Sequence, residues 1–196
     1  MTMIAYLEGK FSYKNPALVY VDVNGVGYEV NISLNTYSHI QKLKEGKLFT
    51  YMQVKEDAHN LFGFFDNYEK EMFVMLISVS GIGATTARMM LSSMKPDELS
   101  RAIVRGDVRL LESVKGIGKK TAERVVLELK DKLAKLPIDG SLTATTHGTM
   151  EQDALNALVA LGISKPVADQ ALRKIMTAEP GLEQLEELIK RALKAI

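Results

Sequence analysis

Apolar and polar positions alternate in two neighbouring runs, 17–23 and 26–32, and both runs are rich in β-branched residues. A period of two places every other side chain on the same face of a strand. Between the runs stands Asn24-Gly25, the pair that most readily takes up the positive-φ turn of a tight hairpin. A strand is also expected over 4–11, and two more over 48–54 and 60–64. Five short strands in about 65 residues, joined by turns, suit a small closed or partly open barrel of the OB type.

Beyond residue 66 the period lengthens to that of a helix. Met72, Phe73, Leu76 and Ile77 fall on one helical face. Pro96 followed by Asp97 and Glu98 marks a helix start, with acids at the positive end of the dipole, and Gly106 marks a stop. A further helix over 119–133 carries Ala122, Val125, Val126 and Leu129 on its apolar side. The stretch 137–148 is small, polar and aperiodic, as expected of a flexible linker. After it, Thr149 to Gln152 fits a capping box, Leu161-Gly162 closes the helix, Ser164 caps a second, and Pro180-Gly181 separates a third. The pattern predicts a multi-domain α+β chain: a five-stranded barrel over 1–65, a helical domain over 66–136, and a small three-helix bundle over 149–196 on the linker.

The helical domain contains a repeat. Shifting the chain by 35 residues aligns 76–95 with 111–130, and nine of those twenty positions are identical. Each copy reads as helix, Gly-Ile-Gly turn, helix, with Gly81, Ile82 and Gly83 matching Gly116, Ile117 and Gly118. Two glycines permit positive φ and leave no Cβ between backbone and ligand. The turn opens into a helix N-terminus, whose unpaired N–H groups and dipole attract an anion such as phosphate. In the second copy Lys119, Lys120 and Thr121 follow directly; the first continues Ala84-Thr85, with no adjacent lysine. Taken alone, one such turn is equally a tight helix connection that uses glycine for geometry. Two copies of one design suit a nucleic-acid backbone, which offers phosphates in series.

Charge agrees with that reading. Residues 81–135 hold twelve Lys/Arg against seven Asp/Glu, a net of +5, whereas the segments on either side are each net −2. A localised basic footprint emerges from a chain whose formal net charge is only +1. With no cysteine, and with His39, His59 and His147 scattered, neither a metal site nor any other cofactor is expected. Gly118-Lys119-Lys120-Thr121 lacks the Gly-Lys-Ser/Thr order of a nucleotide-binding loop, so no ATPase is expected in this chain. The longest apolar stretch, 72–79, is far too short to cross a bilayer, and no signal-peptide pattern opens the chain, so a cytoplasmic, membrane-free protein is expected.

An OB-like barrel, two Gly-Ile-Gly turns of the tandem helix-hairpin-helix kind, the run from Lys115 to Arg124, and a helical tail on a loose linker together resemble the RuvA family over nearly the whole chain. That resemblance implies a non-catalytic subunit that binds four-way DNA junctions in an open form, without sequence preference, in recombination and repair. It implies a homotetramer, with one or two tetramers per junction left open. It further implies hairpins that grip minor-groove phosphates, and a third domain (149–196) that docks a RuvB-type AAA+ motor, with a RuvC-type resolvase in the same complex. Glu56 and Asp57, by residue type an ordinary polar loop, take from the resemblance the role of an acidic pin at the junction centre. Two other readings stand beside this one: a helix-hairpin-helix DNA glycosylase using Asp131, and a generic duplex-binding module.

Overall fold

The computed structural model describes residues 3–134, 150–178 and 184–195. Asn24 and Gly25 adopt φ of 54° and 88°, and the Asp22 carboxylate accepts from the Gly25 N–H at 2.8 Å, so the Asn-Gly pair forms the expected tight turn. It joins β2 (Leu18–Val23) to β3 (Val26–Ile32). These strands close a five-stranded barrel with β1 (Tyr6–Asn15), β4 (Glu45–Val54) and β5 (His59–Phe64), in the order β1-β2-β3-β5-β4. All pairings are antiparallel except β3 with β5. The alternating residues Val19, Val21, Val30 and Ile32 fill the interior with Leu7, Phe11 and Leu48. Closure demands close backbone approach at Gly9, where a Cβ would lie 2.1 Å from the Asp22 carbonyl oxygen.

Two strands differ from expectation. β1 runs on to Asn15 because a register shift between Phe11 and Tyr13 slips the alternation without ending the pairing. β4 starts at Glu45, earlier than its apolar residues suggest. A seven-residue helix, α1 (Leu34–Ile40), links β3 to β4 and was not anticipated. Ser33 caps it, its hydroxyl accepting from the Thr36 N–H at 2.9 Å.

The helices after the barrel are α2 (Asn67–Ile77), α3 (Ala84–Ser93), α4 (Pro96–Arg105), α5 (Val108–Glu112) and α6 (Lys119–Leu133). Asp66 caps α2 by accepting from the Glu69 N–H at 2.7 Å. Pro96 occupies the first turn of α4, and Gly106, at φ 73°, ends it. One apolar core runs through these helices and takes in Phe62 and Phe64 of β5. Phe73, fully buried, meets the rings of Phe62, Phe64 and Tyr51 at centroid distances of 4.9 to 5.5 Å. Burying one such side chain contributes about 1.5–3 kcal/mol, so this cluster fastens the barrel to the helices.

Glu69 makes a second fastening. It is fully buried, and its carboxylate accepts from the hydroxyls of Ser33 and Thr36, the latter at 2.7 Å. Thr36 Oγ1 in turn accepts from the Phe65 N–H at 3.0 Å. Burial pushes the Glu69 pKa up and the hydroxyl hydrogen bonds oppose that shift.

Residues 1–141 form one compact unit and 142–196 a second. In the second, α7 (Met150–Ala160), α8 (Lys165–Ala178) and α9 (Leu185–Ala195) each pack on the other two around Leu155, Leu158, Leu172 and Leu188. Gly162, at φ 94°, turns the chain out of α7, and the Ser164 carbonyl accepts the first bond of α8 from Ala168. The expected linker over 137–148 and the Pro180-Gly181 break lie outside the described residues, as does Thr149 of the expected capping box.

Candidate nucleic-acid interface

The two repeats fold into the same local structure, with matching hydrogen bonds through the turn. At the end of α2 the Ser78 hydroxyl donates to the Met75 carbonyl at 2.7 Å; at the end of α5 Ser113 donates to Leu110 at 2.6 Å. The Ile82 N–H donates to Val79 at 3.1 Å, and the Ile117 N–H to Val114 at 3.0 Å. Gly81 and Gly116 sit at φ 95° and 92°, where a side chain would be strained. Gly83 and Gly118 precede α3 and α6 with φ of −87° and −91° and ψ of 167° in both. Val79, Ile82 and Ala87 are buried, as are Val114, Ile117 and Ala122. Six of the nine identities are therefore core anchors or turn glycines, and Ser78 with Ser113 adds the matching hydroxyl bond at the helix end.

Gly83 and Gly118 are the informative pair. Their φ is ordinary, and a Cβ at either would meet nothing within 4 Å. Neither backbone strain nor packing inside the chain asks for glycine there. What glycine leaves is bare backbone open to an approaching ligand. No side chain caps α3 or α6; in α6 the Thr121 N–H turns back to the Gly118 carbonyl at 3.0 Å, and the N–H groups that precede it, like those at the start of α3, have no intrahelical acceptor. Two outward-facing anion cradles result.

The cations are distributed unevenly between them. Lys115, Lys119 and Lys120 are exposed around the second hairpin, and Thr121 is half-buried behind them. The first hairpin has Ser80, Ala84 and Thr85 at the matching positions. Its own arginine, Arg88, is turned to the barrel, donating to the Ala17 carbonyl at 3.1 Å and to Asn31 Oδ1 at 2.7 Å. Burial lowers the Arg88 pKa. Part of the basic footprint is thus structural. Arg124 of α6 instead reaches across to donate to the Ser80 carbonyl at 3.1 Å, a contact 44 residues apart that spacing alone does not reveal.

Glu56 and Asp57 are exposed in the turn between β4 and β5, which is closed by the Lys55 N–H on the Ala58 carbonyl at 2.8 Å. Neither carboxylate makes a hydrogen bond or ion pair with any described residue, so the turn presents two uncompensated charges. Asp131, the acid a glycosylase would need, is exposed on α6, the helix that begins with Lys119. Among the described residues no three His, Asp or Glu side chains converge on a metal position, and no helix is long and apolar enough to cross a membrane.

A closed five-stranded barrel followed by two helix-hairpin-helix units defines the class of protein. Family models agree: the RuvA N terminal domain matches residues 3–63, a SAM-like helix-hairpin-helix tandem matches 73–131, and the RuvA C-terminal domain matches 149–196. The chain is 50% identical to a protein of Cytophaga hutchinsonii across 98% of this chain and 99% of that one. It is 45% identical to one of Christiangramia forsetii and 42% identical to one of Amoebophilus asiaticus, each aligned over at least 98% of this chain and the whole of the relative. All three relatives carry the name Holliday junction branch migration complex subunit RuvA. The chain belongs to the RuvA family.

Proposed function

We propose that the chain binds four-way Holliday junctions in an open form and recruits an ATP-driven motor that moves the branch point. The observation that carries this reading is the pair of like-built hairpins, each with an N-cap glycine whose missing side chain leaves the helix entrance open. Phosphates of a duplex arm seat on the N-termini of α3 and α6, held by the backbone N–H groups of Gly81 and Gly83 at the first site and of Gly116, Gly118, Lys119 and Lys120 at the second, while the Ile82, Ile117 and Thr121 N–H groups bond within the turns. Lys119 and Lys120 add charge at the second site. Contacts of this kind position a protein on DNA and carry no sequence information, which suits a junction of arbitrary sequence.

Glu56 and Asp57 act as the acidic pin. In a homotetramer the pair would bring eight carboxylates to the crossover, where they repel phosphates and favour parted strands. Such a cluster lowers affinity for DNA in general and so serves selectivity for the open junction. The working division is barrel 1–65, hairpin domain 66–136, linker 137–148 and motor-docking domain 149–196. The docking domain meets a RuvB-type AAA+ partner, and a RuvC-type resolvase shares the complex. The chain itself catalyses nothing; the motor supplies the energy. The setting is cytoplasmic recombination and repair.

Light scattering on size-separated complexes tests this directly. With a four-way junction the full chain should give a complex of four or eight chains per DNA, while linear duplex of equal length gives none at the same concentration. A protein that stays monomeric and treats both DNAs alike would overturn the reading.

A further inference from the structure

The first hairpin lacks a cation of its own to an extent that only the structure reveals. In sequence the second copy sets Lys115, Lys119, Lys120 and Arg124 beside its glycine turn. The 35-residue shift puts Ser80, Ala84, Thr85 and Met89 at those four positions in the first copy. The one arginine that the first copy's helix does carry, Arg88, is bound to the barrel through Ala17 and Asn31. By its own sequence, hairpin one is a neutral cradle.

Arg124 alters that. It belongs to the second motif, on α6, yet its Nη1 donates to the carbonyl of Ser80, the residue immediately before Gly81. The bond occupies one of the five N–H donors of a guanidinium. Among the described residues no carboxylate lies within ion-pair distance of Arg124, and the side chain is exposed. A permanently charged, planar donor fork is therefore tethered at the mouth of the first turn, with its remaining donors unspent. Planar forks of this kind match phosphate oxygens in pairs.

We infer that Arg124 is the phosphate-binding cation of the first hairpin, lent by the second motif's helix. The inference rests on the proposed function, since it presumes that the hairpins hold DNA phosphate. It goes further by assigning a residue to the hairpin opposite the one in which the sequence places it. It also makes the two sites one device, because the fork that completes the first cradle stands on the helix whose N-terminus forms the second.

A double-mutant cycle on the full chain, read as affinity for a four-way junction, tests it. Gly83→Ala and Gly118→Ala each put a methyl into open space at ordinary φ, obstructing one cradle while leaving packing alone. Arg124→Met should weaken binding about tenfold, the scale of one lost charge-assisted hydrogen bond. It should also reduce the slope of log affinity against log salt by about 0.9, the value for one phosphate contact. Combined with Gly83→Ala it should cost little more than either change alone; combined with Gly118→Ala the losses should multiply. Arg124→Lys, which keeps the charge, should hold the salt slope near wild type, and an unchanged melting temperature of Arg124→Met should separate lost contact from misfolding. If both glycine variants weaken binding while Arg124→Met multiplies with Gly83→Ala, or leaves the salt slope unchanged, Arg124 does not serve the first hairpin. A weakened Gly118→Ala beside an unaffected Gly83→Ala overturns the inference as well. If neither glycine variant weakens binding, the hairpin grip itself fails, and the inference with it.

Discussion

Glycine takes two distinct backbone conformations at each hairpin, one that the turn requires and one that the proposed grip on phosphate would use. Gly81 and Gly116 hold positive φ and let the turn form; Gly83 and Gly118 have unstrained backbones and leave the helix entrance bare. The turn itself was legible in the repeat, because six of the nine identities fall on the glycines and their buried neighbours. The lysines after the second turn are the plainest charge signal. Replacing Lys119 and Lys120 together with alanine should weaken binding to junction and duplex alike. Each lost phosphate contact should lower the salt slope by about 0.9. Titration at several salt concentrations checks this, and an unchanged slope would place both lysines in solvent. Other residues were silent in the sequence. Glu69 reads as one more helical acid, yet it is fully buried and ties Ser33 and Thr36 to α2. Arg88 and Arg124 look alike as surface charges; one braces the barrel and the other reaches the first hairpin.

Elements were legible where a period ran long enough to be counted. β2, β3, the Asn-Gly turn between them and α6 lie where alternation or helical spacing puts them. α1 is too short for a period and follows a strand directly, so the Ser33 cap was its only signal. The end of β1 was hidden by the register shift that breaks its alternation. At this scale the closing helices make their own prediction. α7, α8 and α9 share a core of Ala154, Leu155, Leu158, Leu172 and Leu188, and residues 136–196 are net acidic. A helical unit with its own core and little attraction for phosphate should be dispensable for DNA binding. Ending the chain after Ser141 should leave junction affinity within about twofold, well under the 1.4 kcal/mol that a tenfold change represents, and should abolish recruitment of the motor. Loss of junction affinity in the shortened chain would make the tail part of the DNA site.

For the whole molecule, the balance of charges carries the account. In the proposed reading a basic middle, net +5, draws DNA to the hairpins, while the exposed Glu56 and Asp57 repel it at one place. Attraction without that repulsion would give a general duplex binder; the two together favour a DNA whose strands part at a centre. Unit charges a few ångströms apart in a water-like dielectric interact by about 1 kcal/mol, so several acting at one crossover shift selectivity by one to two powers of ten. The measurement that tests this most directly is a pair of titrations, four-way junction and linear duplex at matched salt, on the wild type and on the Glu56→Gln, Asp57→Asn variant. The wild type should prefer the junction, and the variant should bind duplex more tightly while that preference shrinks. A wild type that binds both DNAs equally, or a variant whose affinity ratio matches that of the wild type, would contradict it.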